Sequence, residues 1–341
     1  MHRPLAVSLI LLAVATPVAA AAEGAPAPVP EAASWFVLAS GPGEVLTSSR
    51  ANERLPMAST TKIMTAVLVL ESGRLDERAV VPSGAAIGGS SGGLVAGESL
   101  TVRDLLTALL VGSGNDAAIT LAEHLDGSQE AFVERMNARA AQLGLNDTRF
   151  ANPHGLDAPG HYSTTRDLVR LGRFAMRRPL FRDLVGERTA IIPGPDGSGI
   201  RTLVSKNDLL EIEPTADGIK TGFTSGAGRT IVGRATRPGV GPVYLALIGS
   251  PSEEQRARDA DRLIDWAFAQ YGRAALLTRA DVVARAHVSG RPGETVGLVP
   301  DRPLGAAVRL GVTPTEIVQA PARLAGPLPA GSEVGEVELR Q

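Results

Sequence analysis

Hydrophobic and polar positions follow three different patterns along the chain. The runs 34–39 and 44–48 flank a Gly-Pro-Gly turn, which is typical of a β-hairpin that opens a sheet. From 59 to 144 the apolar residues recur at helical spacing, in segments that glycine-rich turns separate. Apolar, β-branched runs return at 229–236 and 243–250, joined by a Pro/Gly turn. The pattern predicts an α/β (α+β) fold in which helices cover an antiparallel sheet.

The pattern of hydrophobic and polar positions changes again toward the end of the chain. A last amphipathic helix is predicted within 253–272, and it closes a main domain of residues 33–273. From 275 to 341 the chain consists of short Val/Leu runs broken by Gly and Pro, which predicts a small all-β domain. The Pro/Ala-rich residues 23–32 are typical of a flexible linker ahead of the main domain.

The first 22 residues have the pattern of a secretory signal peptide. His2 and Arg3 precede an apolar run from 5 to 14, and small residues occupy 19–22. The apolar run is short for a membrane span, although an uncleaved anchor is the alternative interpretation. The last residues form no amphipathic or apolar helix. We therefore expect a protein that is exported across the inner membrane and is soluble in the periplasm.

Composition restricts the chemistry. Hydrophobic residues make up 44% of the 341 positions, the formal net charge is −2, and no Lys/Arg-rich block occurs. Neither nucleic acid nor an anionic membrane is favoured as a partner, and a small molecule or a polymer bound in a cleft fits better. The chain has no cysteine, which excludes a thiol nucleophile, disulfides and cysteine-ligated zinc.

Lysine is rare, and one lysine stands in an apolar segment. Only three of the 34 basic residues are lysines, and Lys62 lies within the hydrophobic run that follows Pro56. Arginine keeps its charge in proteins, whereas a desolvated lysine can lose its proton. Ser59 precedes Lys62 by three residues, so both side chains would lie on one face of a helix, with Ser59 at its N-terminus. A neutral Lys62 could then deprotonate Ser59 as a nucleophile.

Two later segments carry polar groups in similar settings. Ser113 and Asn115, in the sequence S-G-N, lie between two apolar helical runs, where they could face a cleft or simply cap a helix. A second S-x-N at 205–207 shows that the pattern is common. Lys220 and Thr221 begin the sequence K-T-G near the start of a predicted edge strand, where they could bind a carboxylate. A solvent-exposed hairpin corner is the alternative.

In this order, the S-x-x-K, S-x-N and K-T-G segments resemble the motif set of penicillin-binding proteins and serine β-lactamases. The sequence from S-G-N-D-A-A through N-P-H-G-L and H-Y-S-T-T-R-D-L to D-G-I-K-T-G-F is similar to the D-alanyl-D-alanine carboxypeptidases over most of 33–272. The residues from 275 onward resemble that family's β-rich C-terminal domain. The resemblance implies a β-lactamase/transpeptidase-like sheet covered by helices, with a helical subdomain.

The resemblance also implies a role for each motif residue. Ser59 would be the acylated nucleophile, Lys62 its base, and Ser113 a proton relay. Asn115 would hold the substrate amide. Lys220 and Thr221 would bind the terminal carboxylate of the substrate.

Three further positions follow from the same resemblance. The backbone N–H groups of Ser59 and Phe223 would form the oxyanion hole. Many relatives carry histidine at Phe223, so only a backbone role transfers to this position. Gly222 would allow close approach of another backbone. Lys206, where arginine is common, would add a second positive charge near the carboxylate, with an ordinary surface lysine as the alternative.

The implied activity is removal of the terminal D-alanine from peptidoglycan stem pentapeptides, without metal or other cofactor, with β-lactams as acylating inhibitors. A D,D-endopeptidase, a serine β-lactamase and a non-catalytic peptidoglycan-binding module are the alternatives. Gly114 in the second motif and the lack of an E-x-x-L-N segment disfavour the β-lactamase. A formal G-x-S-x-G at 89–93 lacks a preceding strand, so we interpret it as a flexible loop. His154, His161 and Asp157 fit no metal-site spacing, which favours a structured loop there.

Overall fold

The computed structural model describes residues 24–340 apart from 42, 313, 314 and 330. The predicted signal peptide at 1–22 lies outside the described residues. The chain divides into two compact units, of which one spans Ala27–Phe268 and the other contains the described residues from Ala269 onward.

The first unit contains nine strands and eight α-helices among its described residues. The strands are β1 (Ser34–Ala39), β2 (Glu44–Ser49), β3 (Arg78–Val80), β4 (Ser99–Thr101), β5 (Thr189–Pro193), β6 (Ile200–Val204), β7 (Ala216–Thr224), β8 (Gly228–Arg237) and β9 (Gly241–Ser250). The helices are α1 (Lys62–Ser72), α2 (Val102–Leu110), α3 (Asn115–Asp126), α4 (Gln129–Gln142), α5 (Thr165–Ala175), α6 (Pro179–Gly186), α7 (Leu209–Ile212) and α8 (Glu253–Ala269). None of these helices is long and apolar enough to cross a membrane.

A five-stranded antiparallel sheet forms the centre of this unit, in the order β2-β1-β9-β8-β7. Successive side chains of a strand point to opposite faces, and both faces are buried here. On one face, Leu245 and Leu247 pack in a cluster with Leu263 of α8. On the other face, Ala246 and Ile248 join the larger core that the remaining helices supply. The prediction of an antiparallel sheet covered by helices is confirmed, and β7 is an edge strand.

The segment that carries Ser59 departs from the predicted α-helix. A 3₁₀-helix spans Ala58–Thr61, and α1 begins only at Lys62. The hydroxyls of Thr60 and Thr61 donate to the backbone carbonyls three residues earlier, at 2.6 and 2.8 Å, which stabilises a tighter turn than the α-helix. Because residues i and i+3 are aligned in a 3₁₀-helix, Ser59 still lies directly beside Lys62.

The second unit is built from short strands, as the predicted all-β region would be. They are β10 (Tyr271–Leu277), β11 (Ala284–Val288), β12 (Thr295–Leu298), β13 (Leu304–Arg309), β14 (Thr315–Gln319), β15 (Arg323–Leu324) and β16 (Glu336–Arg340). They form small sheets in the orders β10-β13, β12-β11-β15 and β14-β16. The β-rich C-terminal region is therefore confirmed.

A buried ion pair fixes the β5–β6 hairpin, which precedes the segment of Lys206. Arg201 donates to both carboxylate oxygens of Glu98 at 3.0 and 3.1 Å, and the two side chains are only 12% and 4% exposed. We expect Glu98→Ala to lower the free energy of unfolding by about 3 kcal/mol, because it leaves Arg201 buried without a counter-charge. Urea unfolding followed by circular dichroism measures the change.

The exposed Arg50–Glu53 pair provides the matched control, because Glu53→Ala removes a carboxylate that water already solvates. Equal losses from Glu98→Ala and Glu53→Ala would show that burial of the Glu98–Arg201 pair is not what stabilises the hairpin.

Candidate active site

The Lys62 amine is fully buried and touches three oxygen atoms. Its Nζ lies 3.0 Å from Ser59 Oγ, 2.7 Å from Asn115 Oδ1 and 2.6 Å from the backbone oxygen of His154. The Lys62 side chain has no exposed surface. None of the three partners is a carboxylate, so no hydrogen-bonded counter-charge stabilises an ammonium here.

The electrostatic setting favours the neutral amine. Burial lowers the pKa of Lys62 well below its usual value, the positive charge of Lys220 lowers it further, and Asp116 opposes both effects. A neutral amine has two hydrogens and one lone pair. Asn115 Oδ1 and the His154 carbonyl can only accept hydrogen bonds, so they take the two hydrogens. The lone pair is then directed at the Ser59 hydroxyl, which is the geometry of a general base and its nucleophile.

Gly155 and Gly222 pack closely against the backbone around Ser59. A Cβ on Gly155 would lie 2.1 Å from the oxygen of Ala58, and a Cβ on Gly222 would lie 2.6 Å from the amide nitrogen of Ser59. Any side chain at either position would displace the backbone at Ala58 and Ser59. Ala58 itself has a left-handed φ of +49°, which is strained for a residue with a Cβ. The backbone at Ala58 and Ser59 is therefore in close contact with both the loop of Gly155 and the edge strand β7.

The second motif lies in the turn between α2 and α3. Ser113 is 2% exposed and has a left-handed φ of +60°, and Asn115 is the first residue of α3. The Asn115 carboxamide is used at both ends, because Oδ1 accepts from Lys62 and Nδ2 donates to the oxygen of Gly88 at 2.8 Å. Asn115 therefore connects the buried amine to the glycine-rich loop at 88–93.

Asp116 fixes this loop, and the sequence analysis did not single it out. Its buried carboxylate accepts from Ser91 Oγ at 2.5 Å and from the amides of Gly92 and Leu94 at 2.9 and 3.1 Å. The segment predicted to be a flexible loop is irregular, but these bonds tie it to α3. The only sequence signal for this role is that an acidic residue directly follows S-G-N. The amides that its carboxylate binds become known only from the fold.

The third motif lies in the middle of β7. Lys220 is 3% exposed, and its Nζ donates to the backbone oxygen of Thr221 at 3.0 Å. Burial, together with the charges of Arg256 and Lys206, lowers the pKa of Lys220 to about 7. The Thr221 hydroxyl donates to the backbone oxygen of Lys206 at 2.9 Å, while the Lys206 side chain is exposed. The backbone of Lys206 thus lies beside the K-T-G segment, and the positive charge of its side chain helps to lower the pKa of Lys220.

The Phe223 side chain lies at the surface. It is 53% exposed, and the guanidinium of Arg229 stacks 3.8 Å from its ring centre. Just beyond it, Asp157 accepts from Thr224 Oγ1 at 2.7 Å and from the amide of Gly226 at 2.9 Å. The loop that carries Asp157 is thereby attached to the turn after β7.

Arg256 is a second charged residue that sequence reasoning missed. It is 3% exposed and donates to both oxygens of Asp208 at 2.8 Å, and its charge is among the causes of the lowered pKa of Lys220. In the sequence it stands in a charged, amphipathic helix where arginines are common on the solvent side. Nothing in that pattern distinguishes a buried arginine from its exposed neighbours.

Comparison with known sequences identifies the family. A family model described as D-alanyl-D-alanine carboxypeptidase matches residues 21–251. The chain is 38% identical to the carboxypeptidase DacB2 of Mycobacterium tuberculosis over 251 residues, which are 71% of this chain and 84% of the relative. It is 29% identical to DacF of Bacillus subtilis over 320 residues, 91% of this chain and 82% of that protein.

Solved structures agree with the sequence comparisons. The Streptomyces K15 DD-transpeptidase matches with a TM-score of 0.68 at 31% identity, over 72% of this chain and 100% of that one. A D-alanyl-D-alanine carboxypeptidase of M. tuberculosis matches with a TM-score of 0.68 at 36% identity, over 74% and 96% of the two chains. The expected penicillin-binding/transpeptidase-like fold is therefore confirmed. With its S-x-x-K, S-x-N and K-T-G segments on one such fold, the chain belongs to the D-alanyl-D-alanine carboxypeptidase family of peptidases.

Proposed function

We propose that the protein is a serine D-Ala-D-Ala carboxypeptidase that removes the terminal D-alanine of peptidoglycan stem pentapeptides through an acyl-enzyme on Ser59. The buried Lys62 amine is the observation that supports this role for Ser59. Asn115 and His154 accept its two hydrogens, so its lone pair is directed at the Ser59 hydroxyl. The family membership supplies the reaction class.

In the acylation step, Ser59 Oγ attacks the carbonyl carbon between the two D-alanines while its proton moves to Lys62 Nζ. The negative charge on the carbonyl oxygen is stabilised by the amides of Ser59 and Phe223. The C–N bond then breaks as the Ser113 hydroxyl gives its proton to the departing amine and takes up the proton that Lys62 holds, which returns Lys62 to its neutral form. Water later attacks the ester carbonyl while Lys62 accepts its proton, and this proton passes to Ser59 Oγ as the ester bond breaks.

Lys220 and Thr221 bind the terminal carboxylate of the substrate, with Lys206 as a further cation near them. Lys220 has a pKa of about 7, so near neutral pH a bound carboxylate favours its charged form. Charged Lys220 in turn disfavours a proton on Lys62. Substrate binding at one end of the site therefore keeps the base at the other end neutral.

Asn115 has two parts in this proposal. Its Oδ1 holds the Lys62 amine in register, and its Nδ2 reaches the substrate amide only by exchanging the bond to Gly88 for one to the substrate. Gly222 contributes by its lack of a side chain, which admits both the Ser59 amide and an extended peptide beside β7.

Several parts of the biological setting rest on sequence pattern alone. We propose cleavage of a signal peptide within 1–22, a linker at 23–32, a catalytic domain at 33–273 and a separate β-domain at 275–341. The enzyme would then act as a soluble protein in the periplasm on peptidoglycan stem peptides. β-Lactams would acylate Ser59 because they imitate the D-Ala-D-Ala end.

The reaction is tested with purified muropeptides and fluorescent penicillin. We expect the wild type to shorten pentapeptides by one D-alanine in mass spectra and to become covalently labelled. Ser59→Ala should lose both activities while keeping its circular dichroism spectrum, because only the attacking oxygen is removed. Cleavage confined to crosslinked dimers would indicate an endopeptidase, and labelling that survives Ser59→Ala would mean that another residue is the nucleophile.

Lys62 is tested by separating its charge from its basicity. Lys62→Arg retains a positive charge but cannot act as a base, so we expect it to lose acylation nearly as completely as Lys62→Ala. Stopped-flow acylation by a fluorescent penicillin measures both rates, and thermal unfolding reports whether each variant is folded. Acylation near the wild-type rate in a folded Lys62→Arg variant would contradict the role of base.

Lys206 is exposed, so its effect should be modest and should depend on charge alone. We expect Lys206→Ala to lower kcat/KM on diacetyl-Lys-D-Ala-D-Ala by up to roughly tenfold, and Lys206→Arg to retain activity. Arg258→Ala removes a cation of α8 that is also exposed, and it serves as the control. If Lys206→Ala behaves like Arg258→Ala in both peptide hydrolysis and penicillin acylation, Lys206 is an ordinary surface lysine.

A further inference from the structure

We propose that His161 and Thr61 act together as positioning residues, which hold the carbonyl of Ala58 and thereby fix the backbone from which Ser59 attacks. The inference rests on the proposed role of Ser59 as nucleophile. Neither side chain has a hydrogen bond to Ser59 or Lys62 among the described contacts, so both act through Ala58.

The direction of each hydrogen bond in this chain of contacts is determined. The amide of Ala151 can only donate, and it donates to His161 Nδ1 at 2.9 Å. The ring proton of the neutral imidazole is therefore on Nε2, which lies 2.8 Å from Thr61 Oγ1. Thr61 Oγ1 accepts a hydrogen bond from this N–H and donates its own hydrogen to the oxygen of Ala58, also at 2.8 Å.

Burial keeps this arrangement in place. Thr61 has no exposed surface, and His161 is 4% exposed, with its ring edge-on to Phe150 at 6.2 Å. Burial lowers the pKa of His161 to about 4, so near neutral pH the imidazole stays in the form that donates to Thr61. Without Thr61, the His161 donor would have no partner in this dry environment.

The carbonyl at the end of the chain belongs to a strained residue. Ala58 has a left-handed φ of +49°, a conformation that the surrounding contacts must impose on a residue with a Cβ. Gly155 approaches the Ala58 oxygen from the loop that also contains His161. If the hydroxyl of Thr61 were removed, Ala58 could relax toward an unstrained φ, and the amide and Oγ of Ser59 would shift with it.

Thr61→Val and Thr61→Ser test the proposal, because valine has the shape of threonine and serine has its hydroxyl. We expect Thr61→Val to slow penicillin acylation of the folded protein by roughly ten- to a hundredfold, as a small misplacement of a nucleophile does. Thr61→Ser should restore most of the rate. His161→Phe should also slow acylation, and the losses in the Thr61→Val/His161→Phe double variant should not multiply, because both changes break the same path.

Thr65→Val is the matched structural control. Thr65 is fully buried in α1 and donates to the oxygen of Pro153 at 2.6 Å, in the same loop, but none of the described hydrogen bonds joins it to Ala58. We expect it to lower the thermal midpoint about as much as Thr61→Val while leaving acylation within about twofold of wild type.

Equal slowing by Thr61→Val and Thr65→Val, or normal acylation in a folded Thr61→Val protein, would overturn the positioning role. Wild-type protein that penicillin does not label at all would instead contradict the proposed function, so the two failures are distinguishable.

Discussion

The candidate site depends on the burial of the Lys62 amine, because burial makes a charged ammonium unfavourable. A charged group removed from water without a counter-ion costs several kcal/mol, so burial shifts the Lys62 equilibrium toward the neutral amine. A neutral amine still needs acceptors for its two hydrogens. These come from α3, through Asn115, and from the loop that contains His154, so two separate elements must pack against the start of α1. The Ser59 hydroxyl then occupies the one remaining direction.

The second requirement is that positive charge lies near this amine without binding to it. Lys220 is coupled electrostatically to Lys62, and Arg256 and Lys206 are coupled to Lys220, while Asp208 pairs with Arg256. As a result, the end of the site around Lys220 favours an anion, while the end around Lys62 favours an uncharged amine. Such a site suits a substrate with a free carboxylate next to the bond that breaks.

The sequence predicted the elements of the sheet, the order of the motifs and the pairing of Ser59 with Lys62, because these follow from hydrophobic periodicity and from local spacing. It did not predict the 3₁₀ turn, which depends on where the hydroxyls of Thr60 and Thr61 donate. It also missed Asp116 and Arg256, since a buried charged residue looks like an exposed one until the packing is known. Contacts between distant segments, such as Gly155 against Ala58, have no local signature at all.

Backbone strain is concentrated where the proposed chemistry takes place. Only three non-glycine residues in the described part of the chain have a positive φ, and two of them are Ala58, next to Ser59, and Ser113 of the second motif. A left-handed conformation costs roughly 1–2 kcal/mol for such residues, so it persists only where surrounding contacts impose it. At Ala58 these contacts are identifiable: Thr61 bonds to its oxygen, and Gly155 and Gly222 close on it from two sides. Part of the folding free energy thus maintains a backbone geometry before Ser59 that the local sequence would not adopt by itself.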